Sequence, residues 1–418
     1  MSGNAKRYFQ FFLIVLAAGA IYPIMYLRTN YQETLLQVFG MTLPQLNNVY
    51  SFLGIVWAVG YFPSGVICDK ISAKLLLSIS LFMTALGGFV FAQTPPYGLV
   101  VVIYIVWGVF SVFTFWGAHM KLVKLLSRRE EEGRFFGILD GGRGVIEAAL
   151  ASVAIAIFAA ILGKNDSLEL KTAAMKSVIY MYSFVVLAIA ILVTIFVGED
   201  KKEAARVEAE AKPKEKFEWK DLGTALRNKF IYLLGGIIFM SYTTYWTVYY
   251  YGGFLETNIK APAVTVGIVT VIVMWMRPVG GVVGGFLADK IGKTRTLGGA
   301  LTGALVCLAL LAFIPPSAPP PLFFTIVVLA GIFVYAIRGL YWSLMGDCKI
   351  EDKIIGITIG TASLIGYLPD ILLPQFNSFL FNTFGGNGGY NAYFVSSGII
   401  AVAGIILVAV FGKLSRKA

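Results

Sequence analysis

Apolar stretches of about 20 residues recur along the whole of this 418-residue chain, and that recurrence constrains its fold more than any single motif. A stretch of this length crosses a hydrocarbon core of roughly 30 Å as an α-helix. Inside such a core only a helix or a closed barrel satisfies its own backbone polar groups. Twelve spans are predicted, at approximately 8 to 37, 44 to 67, 74 to 93, 97 to 120, 134 to 162, 173 to 198, 228 to 256, 262 to 287, 296 to 314, 321 to 346, 353 to 380 and 389 to 411. The composition agrees: 58% of residues are hydrophobic, 14% are charged, and the mean hydropathy is +0.78, far above an ordinary soluble domain. The expected fold class is an all-α membrane protein of twelve transmembrane helices.

Lysine and arginine accumulate in cytoplasmic loops. Of 34 such residues, four (Arg28, Arg143, Arg277, Arg338) lie inside spans and four (Lys164, Lys171, Lys176, Lys260) in the loops of one side. The remaining 26 gather on the other side with both termini, so both ends are expected in the cytoplasm. The net charge of +11 therefore reads as topology, not as nucleic-acid binding. Cys68, Cys307 and Cys348 are scattered without metal-ligand spacing, and the first span lacks a small-residue cleavage site and is expected to stay as an anchor.

One long hydrophilic segment, residues 198 to 229, is rich in Glu, Lys and Ala and lies near the middle of the chain. It divides residues 1–198, a first six-helix bundle, from residues 228–418, a second; residues 199–227 are expected as a cytoplasmic linker, either flexible or helical along the surface. The halves look related. "GVICDKISAK" follows the second span and "GFLADKIGKTR" the eighth, setting Asp69 against Asp289. "GRFFGILDGGRGVIE" aligns with "GITIGTASLIGYLPD", setting Glu147 against Asp370. Duplication of a six-helix unit is a transporter signature.

Catalysis is not expected. The run "GGFLADKIGKT" ends like a phosphate loop, but Leu287 stands where that loop needs its first glycine. No Ser/His/Asp or metal-binding constellation is visible, and the single histidine, His119, is expected at the cytoplasmic end of the fourth span. No metal and no cofactor are expected.

The informative residues are the charges inside spans, each costly unless it has a partner or a wet surface. By helical rise, Arg143, Arg277 and Arg338 fall near mid-membrane, Arg28, Glu147 and Asp370 nearer the outside, and Asp140 nearest the cytoplasm. Asp140, Arg143 and Glu147, spaced three and four apart, can pair along one helix face. They form either a neutralised triad or an anion-binding arginine with a carboxylate that takes up protons. Arg28 has no carboxylate within reach on its own helix, because Glu33 is five residues away; it either snorkels outward or faces a cavity beside Tyr22 and Tyr26. Tyr242, Tyr245 and Tyr249 form a stripe that is either packing or a sugar-ring surface. Trp342 joins this substrate-binding set, and Glu147, Asp370 and Asp140 form the proton-coupling set. Four arginines against three carboxylates favour an anionic guest.

The twice-occurring loop of Gly65, Asp69 and Lys70, and of Gly285, Asp289, Lys290 and Arg295, resembles the gating motif of the major facilitator superfamily. The first copy departs from it at Ser72 and Ala73. The resemblance covers the full length and implies two pseudo-symmetric six-helix bundles that work by alternating access. "MYLRTN" is similar to the first-helix segment of the organophosphate:phosphate antiporter branch, which implies a phosphate-binding role for Arg28. Two departures stand out: Asp140 and Arg143 occupy the places of an Asn and a His, and the seventh span, "FMSYTTYWTVYYYGG", has no arginine to complete a symmetrical clamp. The expected function is secondary transport of a small anionic solute across the inner membrane by a monomer, driven by protons or a counter-anion. The alternatives are proton-coupled transport of a neutral or mixed solute, and a transporter-like receptor that senses sugar phosphate.

Overall fold

The computed structural model describes residues 3–127, 131–163, 166–198, 227–348 and 355–417, and among them every regular element is helical. The chain divides into two compact units, Met1–Lys214 and Glu215–Ala418. Residues 199–226 of the expected linker, and Lys164, lie outside the described residues.

In the first unit, α1 (Gly3–Ala20) and α2 (Arg28–Phe39) make the first span, followed by α3 (Leu43–Lys70) and α4 (Ala73–Phe91). The fourth span is α5 (Tyr97–Gly108), a π-helical segment Val109–Thr114 and α6 (Phe115–Leu126); α7 (Glu132–Leu162) and α8 (Leu168–Phe196) complete six. In the second unit, α9 (Lys229–Tyr245), a 3-10 segment Trp246–Tyr250 and α10 (Tyr251–Thr257) make the seventh span. Then come α11 (Ala263–Ile291), α12 (Lys293–Phe313), α13 (Pro320–Leu340) with its 3-10 extension Tyr341–Cys348, α14 (Ile355–Gly366) and α15 (Pro369–Lys417). The 49-residue α15 is too long for one crossing and is broken at Gly385, whose φ of 73° suits a residue without Cβ. Eight helical stretches are each long and apolar enough to cross a membrane, while the others are interrupted or more polar, and the six spans per unit stand.

The same pairing of spans recurs in both units. In the first, α1 packs on α7, α3 on the α5–α6 rod, and α4 on α8. In the second, α9 packs on α14, α11 on α13, and α12 on α15. First with fifth, second with fourth and third with sixth is thus repeated, as the duplicated sequence motifs imply.

Helix ends follow local chemistry. Thr42 caps α3 in a reciprocal box, its hydroxyl accepting from Gln45 N–H (3.4 Å) while Gln45 Oε1 accepts from Thr42 N–H (2.9 Å). The first span, expected as unbroken from 8 to 37, is interrupted over residues 21–27. Pro23 supplies the reason, since its ring removes a donor and clashes with the preceding turn. The chain instead makes three-residue turns, Met25 N–H to Tyr22 O at 2.9 Å and Thr29 N–H to Tyr26 O at 3.0 Å.

Candidate functional site

The break at 21–27 creates the first cluster of polar groups in the N-terminal unit. Because Thr29 N–H turns to Tyr26, the carbonyl of Met25 is released from its helical partner. Two phenols from other helices take it, Tyr50 at 2.6 Å and Tyr104 at 3.2 Å. The Tyr50 ring then lies under the Arg28 guanidinium, 4.8 Å from its carbon, in a cation–π contact. Arg28 is fully buried, so it does not snorkel outward. Its Nη1 donates to Asn47 Oδ1 (3.1 Å) and its Nη2 to Gln32 Oε1 (2.9 Å). The sequence reading looked for a carboxylate and found none on this helix; a neutral amide one turn along, Gln32, does part of that work.

A second group centres on Tyr22. Arg143 lies over its ring at 4.4 Å and is paired through Nε with Glu147 Oε1 at 2.8 Å. The i, i+4 spacing on α7 makes this pair possible. Asp140, the expected third member, is an exposed residue on the same helix. The π-helical segment holds Tyr22 from the other side: its hydroxyl donates to Ser111 O (3.2 Å), while Trp57 Nε1 donates to Ser111 Oγ (2.8 Å). A π-turn displaces carbonyls from the regular ladder and often marks functional positions. Tyr26 lies between Tyr50 and Trp57, with ring centroids 5.8 and 5.9 Å away. His119 is buried, stacked on Phe115 at 4.9 Å, and is not the interfacial residue expected. A surrounding of Phe115 and Trp116 rings explains its withdrawal.

The C-terminal unit builds its cluster where α9 loosens into the 3-10 segment. Tyr242 and Tyr245 stack at 5.7 Å, and the Tyr245 and Tyr249 hydroxyls are 3.4 Å apart. Arg338, from the end of α13, lies 4.7 Å from the Tyr245 ring and 5.5 Å from the Tyr242 ring. Its Nη1 is buried without a hydrogen-bond partner. Pro369 ends α14 and starts α15, which puts Asp370 in the first turn of α15, where a carboxylate suits the positive end of the helix. Asp370 Oδ1 accepts from the Tyr242 hydroxyl (2.8 Å) and from Trp246 Nε1 (2.9 Å). Tyr242 therefore connects the buried cation to the buried anion. Trp342 Nε1 donates to the Tyr367 hydroxyl at 2.9 Å, and the Tyr367 ring meets Tyr242 edge-on at 4.9 Å. Arg277 is half-buried on α11, and no printed contact brings it to this group.

Sequence reading missed Gln32, Asn47, Tyr50, Ser111, Trp57 and Trp246. Gln32 and Trp246 each lie one helical turn from a residue already singled out and were findable by extending the helix face. The others come from different helices, and nothing in their own segments marks them.

The repeated loop is placed differently from expectation. Lys70 closes α3 and Lys290 closes α11. The glycine Gly65 and the side chain of Asp69 lie outside what is described. Gly285, Asp289, Lys290 and Arg295 are exposed, and among the described residues none of the three charged ones forms an ion pair within the unit. The ion pair found here joins Lys293 to Asp347 at 3.2 Å, because Gly292, at φ 97°, turns the chain so that Lys293 begins α12 beside the end of the 3-10 extension of α13.

Comparison with known proteins follows the same lines. The family model described as Major Facilitator Superfamily matches residues 8–374. The inner membrane protein YihN of Escherichia coli (strain K12) is 27% identical over 423 residues, covering 99% of this chain and 97% of that protein. The hexuronate transporter of Bacillus subtilis (strain 168) is 21% identical over 389 residues, covering 88% of this chain and 86% of that protein. The crystal structure of the nucleoside transporter NupG superposes with a TM-score of 0.73 at 14% identity, covering 97% of this chain and 99% of that one, a likeness of fold. With its twelve spans, its duplicated six-helix unit and this family match, the chain belongs to the Major Facilitator Superfamily and is a membrane transporter of small solutes, not an enzyme.

Proposed function

We propose that this transporter moves a small anionic organic solute, a phosphorylated, sulfonated or acidic sugar derivative, across an inner membrane by alternating access. A proton gradient or exchange for another anion drives it. The observation that carries this reading is Arg338, a guanidinium lying over Tyr245 and Tyr242 whose buried Nη1 has no hydrogen-bond partner. Such a group lacks an anion, and phosphate, sulfonate or carboxylate offers the paired oxygens that its planar fork fits. The nearby carboxylate, Asp370, is already engaged by Tyr242 and Trp246. The stacked tyrosines supply a flat surface for a sugar ring, and Arg28, held by neutral amides, adds a second fixed positive charge. A relative named for hexuronate, a sugar carboxylate, favours acidic sugars within the class.

In proteoliposomes, the wild-type chain is expected to take up a hexuronate or a sugar phosphate in preference to the neutral sugar. Arg338→Gln and Arg28→Gln are each expected to cut that uptake by at least about tenfold, because a hydrogen bond to a charged group contributes roughly 1.5 to 3 kcal/mol. Neutral-sugar flux equal to anion flux, and unchanged in both variants, overturns the proposal.

The Arg143–Glu147 pair at 2.8 Å favours a second reading, proton-coupled transport of a neutral or mixed solute in which this arginine only balances a carboxylate. A pH-jump assay separates the two. Substrate-coupled alkalinisation that disappears in Glu147→Gln supports proton coupling, and pure anion exchange shows none.

A further inference from the structure

At the end of the C-terminal unit where α12 begins and α15 finishes, the two helices enclose a groove of ≈ 490 Å³. Thr294, Arg295 and Gly298 line it from α12; Ile405, Val408, Ala409, Gly412 and Lys413 line it from α15. The α15 residues recur at three- and four-residue spacing and so form one helix face. Two features make this an uncommon piece of surface. Its floor is apolar, and a Cβ added at Gly298 would meet nothing within 4 Å, so the groove has depth there. Its rim carries two exposed cations, Arg295 and Lys413, and among the described residues neither has an ion-pair partner. Lys293 beside them is already neutralised by Asp347.

A third feature points to the same guest. Gly292 precedes the 21-residue α12 and offers no side-chain cap, so the first N–H groups of that helix are left facing this rim. An uncapped helix N-terminus attracts phosphate through those N–H groups and the helix dipole. Along the outer side of the groove, Val402, Ile406 and Val410 form an exposed apolar strip at four-residue spacing. A water-soluble anion would use the cations and gain nothing from the strip or the floor.

We propose that this groove is a binding site for an anionic phospholipid. The phosphate lies between Arg295, Lys413 and the first turn of α12, and the acyl chains run down the groove past Gly298 and along the Val402 to Val410 strip. Basic pockets between transmembrane helices at one membrane face have this character. The proposal does not depend on the identity of the transported solute. It also gives Arg295, which the repeated loop supplies, a partner that lies outside the chain.

The full-length chain, purified in detergent, is incubated with phosphatidylglycerol or phosphatidylcholine, and retained lipid is measured by native mass spectrometry. The wild type is expected to retain phosphatidylglycerol in preference to phosphatidylcholine. The double variant Arg295→Gln/Lys413→Gln is expected to lose phosphatidylglycerol retention by at least about tenfold, each basic residue near an anionic lipid being worth roughly a factor of five. Gly298→Leu, which fills the groove without touching the protein, is expected to lose it as well at an unchanged thermal midpoint. Equal retention of both lipids by the wild type, or a loss no greater than in the charge-matched control Lys6→Gln/Lys74→Gln, overturns the site. So does displacement of the lipid by millimolar inorganic phosphate together with full retention in Gly298→Leu, which would mark a site for a soluble anion. Because lipid retention is read directly, a role of Arg295 in gating leaves the outcome unaffected.

Discussion

Tyr242 and Trp246 donate to the same oxygen of Asp370, and this shared acceptor sets a measurable coupling. Removing one donor, as in Tyr242→Phe or Trp246→Phe, is expected to lower stability by about 1.5 to 3 kcal/mol, since the acceptor is a buried carboxylate. The two losses are not expected to add, because either variant leaves the other donor on the same atom. Thermal unfolding of the two single variants and the double variant in detergent checks this; strict additivity would separate the two bonds. Tyr242 also lies beneath Arg338, so Tyr242→Phe keeps the ring contact and loses only the link to Asp370. Uptake that survives in Tyr242→Phe but fails in Tyr242→Ala would assign the aromatic face, not the hydroxyl, to Arg338. At this scale the sequence shows which residues are costly in lipid, but not how each is satisfied. Arg28 illustrates it: the cost was legible from one side chain, and the remedy, Asn47, lies on another helix.

The elements that carry the clusters are the irregular ones: the break over residues 21–27, the π-helical Val109–Thr114 and the 3-10 Trp246–Tyr250. Each moves backbone groups out of the regular ladder and offers them to side chains. The Met25 carbonyl is the clearest case, since Tyr50 and Tyr104 both bond it. Tyr50→Phe or Tyr104→Phe alone is expected to cost about 1 kcal/mol, and the pair together more than the sum, because the double variant leaves a buried carbonyl unsatisfied. Denaturation of the three variants tests that ordering. Close approach between helices matters at the same scale. A Cβ at Gly366 on α14 would overlap Ile238 on α9, so Gly366→Leu is expected to destabilise the second unit by about 1 to 3 kcal/mol or more. A substitution at Gly298, where the space is open, serves as its control. Pro23 made the first break findable from sequence, whereas no residue announces the π-helical turn, which arises from packing against Trp57 and Tyr22.

At the scale of the whole molecule, 26 of the 34 lysines and arginines gather on one side together with both termini. Positive residues are retained in the cytoplasm, so a fluorescent reporter fused after Ala418 is expected to mature there, and a periplasmic phosphatase at the same place to stay inactive. The reverse pattern would overturn the orientation. The repeated pairing of spans in the two units, first with fifth, second with fourth and third with sixth, shows that the duplication seen in "GVICDK" and "GFLADK" extends to packing. The sequence by itself determined the helical class, the number of spans, the two related halves and the costly intramembrane charges. Lipid is the reason: a backbone in hydrocarbon must satisfy itself locally, so each span is written along a single stretch of chain. Only the tertiary structure decided that Arg28 is held by Gln32 and Asn47, that Arg143 is paired with Glu147 over Tyr22, and that Asp370 is held by Tyr242 and Trp246. The partners of Asp370 are 124 and 128 residues away, and such contacts depend on which faces two helices turn toward each other, a quantity no local pattern records.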